Sequence, residues 1–176
     1  VSRDLVRWQR LPNALTPKAG GCDQRGCWTG SIVNARGGFH LFYTAIPQFQ
    51  PEFRQVQALA TSQDLVYWEP YAGNPLIHGR PAVAGTCFRD PCVFPQAGGY
   101  TMVVGSEKKD GSGGLALRYR SDDLLRWTFA GVLCEGRTEA SGHDFECPDF
   151  FEIAPGTHCL LTSRHRQWAH LGHYDG

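Results

Sequence analysis

No sign of charge dominates this chain. Seventeen Lys and Arg residues against seventeen Asp and Glu give a formal net charge of zero, which removes the electrostatic footprint of a nucleic-acid or anionic-membrane binder. No apolar run approaches the roughly 20 residues that a membrane helix needs, and Val1-Ser2-Arg3-Asp4 lacks the apolar segment of a signal peptide. An Asn-x-Ser/Thr sequon is also missing, which counts against a heavily glycosylated secreted protein. Of the seven cysteines, neither the Cys22/Cys27 nor the Cys87/Cys92 pair has the tight spacing of a structural zinc site, and an odd number cannot close completely into intrachain disulfides. Free buried thiols are expected, with no metal and no cofactor. The partner that fits this balance is a neutral small molecule such as a sugar, and neither nucleic acid nor membrane.

What the chain does have is apolar material, 41% hydrophobic and 12% aromatic, enough for a sizeable core. It also has an internal repeat. Ser2-Arg3-Asp4-Leu5-Val6-Arg7-Trp8 returns as Ser62-Gln63-Asp64-Leu65-Val66-Tyr67-Trp68 and as Ser121-Asp122-Asp123-Leu124-Leu125-Arg126-Trp127, at spacings of 60 and 59 residues. In each copy Ser-x-Asp can form a side-chain-stabilised turn, after which Leu and Trp return to a buried face. Alternating strand-like runs precede the later copies, Val56 to Thr61 and Leu115 to Arg120, and earlier runs at Phe39 to Thr44 and Tyr100 to Gly105 are entered through Gly37-Gly38 and Gly98-Gly99. A further unit begins at His158 to Ser163. No convincing amphipathic helix separates the strands. The chain therefore reads as all-β, a partial β-propeller of roughly three blades of four antiparallel strands, with a β-sandwich as the other architecture consistent with the pattern. The blade limits are 1–20 for the end of a first blade, 21–80, 81–140, and 141–176 for the start of the next. Trp8, Trp68 and Trp127 recur with the repeat and are expected in blade cores.

Two innermost strands are unusually polar. Phe88-Arg89-Asp90-Pro91-Cys92-Val93-Phe94 and Phe145-Glu146-Cys147-Pro148-Asp149-Phe150-Phe151 align on prolines 57 residues apart, which places Asp90 and Glu146 within one residue of equivalence on successive blades. The first strand of a propeller blade faces the central channel, so both carboxylates should meet at one mouth of it. Glycoside hydrolysis needs carboxyl groups in divided roles, one donating a proton while another is ionised. The same residues equally suit a structural role, an Arg-Asp pair tying strands together and a Glu in a polar loop.

Those motifs, together with Ser2 to Trp8, Gly26-Cys27-Trp28-Thr29-Gly30-Ser31, Phe42-Tyr43-Thr44 and Leu171-Gly172-His173-Tyr174-Asp175, resemble glycoside hydrolase family 32, which contains invertases, levanases and inulinases. The resemblance implies a five-bladed propeller followed by a C-terminal β-sandwich that these residues do not include, and a retaining mechanism on β-fructofuranosides such as sucrose or fructans. It implies Glu146 as general acid/base and Asp90 as transition-state stabiliser, with Arg89, Trp28, Thr29 and Cys147 at the sugar. Thr29 stands where the family has Ser. The family's nucleophile lies in an Asn-Asp-Pro-Asn-Gly-like motif upstream of the Ser-x-Asp-Leu-x-x-Trp segment, and no Asn-Asp-Pro occurs here. The chain is therefore expected to be truncated and inactive alone.

Other readings stay open beside this one. A five-bladed propeller glycosidase acting on arabinose- or xylose-containing polymers would share inner-strand carboxylates, and a non-catalytic sugar-binding or degenerate propeller would need no nucleophile. The patch of Arg164, His165 and Arg166, with His170 and His173, reads as a solvated turn, and Asp149 as a strand-start hydrogen-bonding residue. Lys108 to Gly114 reads as a polar hairpin loop.

Overall fold

Tight turns rich in glycine fold the chain back on itself every 10 or so residues, the spacing typical of all-β domains, about 8–12 residues. Arg36 and Gly37, at φ 52° and 78°, join β1 (Gly26–Ala35) to β2 (Gly38–Gln48). Positive φ at both central residues gives the loop a twist that matches its strands. The computed structural model describes residues 1–49, 54–138, 142–164 and 166–174. Within them β3 (Arg54–Ser62) and β4 (Glu69–Pro70) complete a first antiparallel sheet in the order β1-β2-β3-β4. The second sheet runs β5 (Ala84–Gln96), β6 (Gly99–Lys108), β7 (Gly114–Ser121) and β8 (Thr128–Glu135), again in sequence order. The third holds β9 (Glu146–Ala154), β10 (Thr157–Arg164) and β11 (Arg166–Gly172). The protein is all-β, with the sheets of a partial propeller.

The repeated Ser-x-Asp-Leu-x-x-Trp segment makes the turn from β3 to β4 and from β7 to β8. Asp64 Oδ1 accepts from the Val66 and Tyr67 amides at 2.8 and 2.9 Å, and Asp123 Oδ1 from Leu125 and Arg126 at 2.9 and 2.8 Å. Asp4 does the same for Val6 and Arg7. These backbone amides hold all three carboxyls below the ordinary aspartate value. The leucine in each copy takes a left-handed conformation, at φ 59°, 64° and 66°, and the following Trp indole donates to its carbonyl.

The central strands carry apolar side chains on both faces, as strands covered on two sides must. Along β2 and β3, Phe42 and Leu59 join the core between the first and second sheets, while Tyr43, Ala45, Ala58 and Ala60 pack on the opposite face. Along β6, Met102 and Val104 face the first sheet and Val103 the third, where it meets Phe145 and Leu160. Trp127 stacks edge-on against Phe42, 5.6 Å away, as a core residue should. Trp68 is half-buried, but Trp8 is 67% exposed, so the expectation of three core tryptophans is corrected there: no sheet lies against it among the described residues. All seven cysteines are free thiols, and only Cys159 is buried, so the expectation of buried thiols holds for that one alone.

This packing sets β1, β5 and β9, the first strand of each sheet, side by side. Each has a strand neighbour of its own sheet on one edge only. Side chains of the adjoining sheet satisfy the bare edge of β5: Gln57 Nε2 donates to the Phe88 carbonyl at 2.8 Å, Asp90 N to Thr44 Oγ1 at 2.7 Å, and Val93 N to Ser31 Oγ at 2.9 Å.

Candidate active site

Each of the three innermost strands is interrupted at the same place. Between Cys27 and Gly30, Arg89 and Cys92, and Glu146 and Asp149 the ladder register shifts, so that two residues oppose one on the neighbouring strand. The extra pairs are Trp28-Thr29, Asp90-Pro91 and Cys147-Pro148. A bulge re-aims side chains that strict alternation would send to opposite faces, and proline suits it because no ladder hydrogen bond is lost there. Asp90 and Cys147 adopt left-handed backbone at φ 61° and 45°, a conformation costing L-residues roughly 1–2 kcal/mol each. Strain of this kind persists where the surroundings over-determine it.

The bulges put β5 and β9 in a constant register. Cys87 bonds Asp144, Arg89 bonds Glu146, Asp90 bonds Cys147 and Cys92 bonds Asp149, every pair 57 residues apart. The equivalent of Glu146 is thus Arg89, and that of Asp90 is Cys147. Asp90 and Glu146 come together because Arg89 lies between them, its Nη2 2.5 Å from Glu146 Oε1 and its Nε 3.8 Å from Asp90 Oδ2. Gly105, opposite Arg89 on β6, makes the approach possible. A Cβ there would lie 2.2 Å from the Phe145 carbonyl oxygen, so only glycine lets the chain entering β9 rest on β6.

Two further charges complete the cluster. Asp144 has no exposed surface; it accepts from Arg89 Nη2 at 2.5 Å through Oδ2 and pairs through Oδ1 with Arg164, at the end of β10. Arg164 stands at the β10–β11 turn, opposite Arg166, but its side chain is tied to the cluster through Asp144. His170 likewise packs on Phe145, 5.0 Å between ring centres, and bonds Thr162 Oγ1 at 3.1 Å, while His173 Nδ1 donates to the Gly156 carbonyl; His165 and Asp175 lie outside the described residues. Neither Asp144 nor its tie to Arg164 is apparent from motif reading. The local signal is Asp144 itself, two residues ahead of Glu146.

Asp90 is nearly buried. Burial, the dominant cause, pushes its carboxyl above the ordinary aspartate range against the pull of the Cys147 amide and of Arg89. Its Oδ2 accepts from Cys147 N at 2.9 Å and from the thiol at 3.6 Å, while Oδ1 takes no hydrogen bond among the described residues. Glu146 keeps 35% of its side chain exposed. Trp28 is 40% exposed, and Thr29 reaches the Cys147 thiol, so the bulge of β1 joins the same group. The cluster thus gathers Arg89, Asp90, Glu146, Cys147 and Thr29, with Trp28 on its β1 side. Asp149 bonds Cys92 and stays on the outside. Among the described residues no group of three or more His, Cys, Asp or Glu side chains is arranged to hold a metal ion.

Cys147 is exposed, yet partial burial and then the Asp90 carboxylate raise its thiol above the ordinary cysteine value. Replacing Asp90 by Asn removes that charge. Alkylation of Cys147 by iodoacetamide at pH 8, followed by peptide mass spectrometry, should accelerate severalfold in Asp90→Asn. An unchanged rate would mean that the thiol and carboxylate do not share the site.

The glycosyl hydrolases family 32 N-terminal domain matches residues 1–174. The chain belongs to that family. It is 36% identical over 168 residues to a sucrose-6-phosphate hydrolase of Escherichia coli, an alignment covering 93% of this chain and 34% of the relative. A cell-wall beta-fructofuranosidase of Zea mays is 36% identical over 203 residues, covering 100% and 33%. Among solved structures, a family 32 beta-fructofuranosidase of Bombyx mori in complex with sucrose superposes with a TM-score of 0.80 at 29% identity, over 94% of this chain and 37% of that one. Fructan 1-exohydrolase IIa of Cichorium intybus in complex with 1-kestose gives 0.83 at 26% identity, over 99% and 35%. The chain spans about a third of the length of the curated relatives it matches.

Proposed function

We propose that these residues form part of the catalytic centre of a retaining β-fructofuranosidase acting on sucrose, phosphorylated sucrose or fructans. The observation that carries this reading is the meeting of Asp90 and Glu146 on one guanidinium, Arg89, at aligned bulges of adjacent innermost strands. Glu146, the more accessible carboxyl, would give its proton to the glycosidic oxygen as that bond breaks, then take one from the water that releases fructose. Asp90 would hold fructose hydroxyls through its uncommitted Oδ1 and offset charge as the ring becomes oxocarbenium-like. Arg89 fixes both, Trp28 offers a ring face to the sugar, and Thr29 and Cys147 line the floor.

A retaining displacement also needs a carboxylate nucleophile, and the bulge of β1 supplies only Trp28 and Thr29. The isolated 176-residue chain is therefore expected to show no turnover. The test is a chimera in which residues 1–174 replace the matching third of the Escherichia coli relative, so that the rest of the centre comes from that enzyme. The chimera should release fructose from sucrose with retained anomeric configuration, followed by NMR. A second reading, non-catalytic sugar binding, draws on the same missing carboxylate. A folded chimera that binds sucrose without cleaving it would decide for the second.

A further inference from the structure

The three Ser-x-Asp turns are closed differently. In the first and third copies the sixth residue of the repeat is arginine, and it covers the aspartate oxygen that the backbone leaves over: Arg7 Nη1 lies 3.4 Å from Asp4 Oδ2, and Arg126 Nη2 2.8 Å from Asp123 Oδ2. The middle copy has Tyr67 at that position. Asp64 Oδ1 is engaged by Ser62 Oγ and by the Val66 and Tyr67 amides, but Oδ2 takes no hydrogen bond or ion pair among the described residues. Tyr67 itself is 76% exposed. A cavity of about 380 Å³ lies there, lined in part by Gln63, Asp64, Tyr67, Trp68 and Glu69, a size within the roughly 300–1,000 Å³ of small-molecule sites. The clefts at the other two turns, of about 520 and 340 Å³, have Arg7 and Arg126 in the place of Tyr67. Trp68 is fixed through its indole N–H, which donates to the Leu65 carbonyl at 3.3 Å, and Gly38 makes room for Gln63, since a Cβ there would stand 2.8 Å from Gln63 Nε2.

This turn is remote from the Arg89 cluster. Cys27, at the β1 bulge, pairs with Ala45, and Ala45 with Val56; Ser62 follows six residues later, roughly 20 Å along the strand. An exposed ring beside an uncommitted carboxylate oxygen suits a molecule with an apolar face and hydroxyl donors at its edge. Gln63 adds a donor and an acceptor together, which a hydroxyl can meet and which a guanidinium or ammonium, having donors only, cannot. Asp64 and Glu69 repel an anion. We infer that the β3–β4 turn binds a neutral sugar chain, one ring stacked on Tyr67 with its hydroxyls on Asp64 Oδ2 and Gln63. The site lies beyond the proposed fructosidase centre and does not depend on it.

The test is titration of the isotope-labelled 176-residue chain with inulin, with a maltodextrin and with L-arginine, following the Tyr67 amide and the Trp68 indole N–H by NMR. A sugar chain should shift both signals, and added NaCl should leave its affinity unchanged, because no ligand charge is involved. Tyr67→Arg, the residue that the other two copies carry, should lower that affinity about fivefold or more, the worth of one aromatic contact. Its urea midpoint should stay at or slightly above the wild-type value, since it restores only an exposed ion pair. Tyr67→Ala should weaken binding to a similar extent, and Tyr67→Phe should keep it. Asp90→Asn should leave both shifts in place. A response to inulin alone makes the ligand a fructan, and a response to both chains makes it neutral sugar chains in general; either supports the site. Silence with both sugars overturns it, as do shifts that survive Tyr67→Arg and Tyr67→Ala. Shifts that vanish in Asp90→Asn would assign the sugar to the Arg89 cluster instead, against this site and in favour of the fructosidase reading. A response to L-arginine with none to either sugar would make the turn a contact for a cationic side chain, which also overturns the proposal.

Discussion

Arg89→Met is expected to destabilise the fold by about 3–5 kcal/mol, the range for breaking a buried ion pair by removing one partner. Arg89 is 9% exposed and touches Asp90, Asp144 and Glu146; without it two nearly sealed carboxylates, Asp90 and Asp144, lose the cation they share, and Asp144 keeps its pair with Arg164. The loss should depend on pH. In the wild type, Asp64 and Asp123 have folded values below their unfolded ones, so the stability they add is complete above the unfolded aspartate value and is lost as pH falls through the folded one. In the variant, protonating one of the stranded carboxylates relieves like-charge repulsion, and Asp90 starts from a raised value through burial. Urea midpoints should therefore show the gap between variant and wild type narrowing from pH 7 to pH 5. Equal gaps at both pH values would mean that Arg89 acts by packing alone. Adding Asp144→Leu to Arg89→Met should recover part of the loss, since one stranded charge goes with it.

The elements of this cluster that are legible in the sequence are those with a local pattern. Strand alternation, Ser-x-Asp turns and glycine hairpins each span only a few residues, so the all-β reading follows from them. The proline-aligned motifs also point to Asp90 and Glu146 as neighbours. Alignment by prolines hides the actual correspondence, in which Arg89 stands opposite Glu146, because side-chain direction at a bulge depends on the partner strand as well as on the strand itself. Asp144 and Arg164 lie 20 residues apart on separate elements, and their pairing leaves no periodic trace. Trp8 shows the reverse failure. Its motif matches those of Trp68 and Trp127, yet burial is decided by what stands opposite, and the motif does not encode that.

In the chimera, Glu146→Gln should lower kcat on sucrose by roughly 10²- to 10⁴-fold, the usual contribution of a general acid, with a much smaller change in KM. The leaving group separates this role from mere positioning. A nitrophenyl β-fructofuranoside departs without a proton, so formation of the fructosyl-enzyme should recover most of its rate in Glu146→Gln. Release by water should stay slow, because Gln cannot take the proton from the attacking water. Azide, which has no proton to lose, should restore turnover and give fructosyl azide with the configuration of the substrate. Asp90→Asn is expected to behave differently. Its contacts strengthen as charge develops on the ring, whichever group departs, so kcat should fall roughly 10²- to 10³-fold on both substrates, the scale of a lost transition-state contact. Azide should not restore it. If Glu146→Gln instead slowed both substrates equally and ignored azide, Glu146 would be a positioning partner of Arg89 rather than the proton donor, and the 2.5 Å contact between them would be its function.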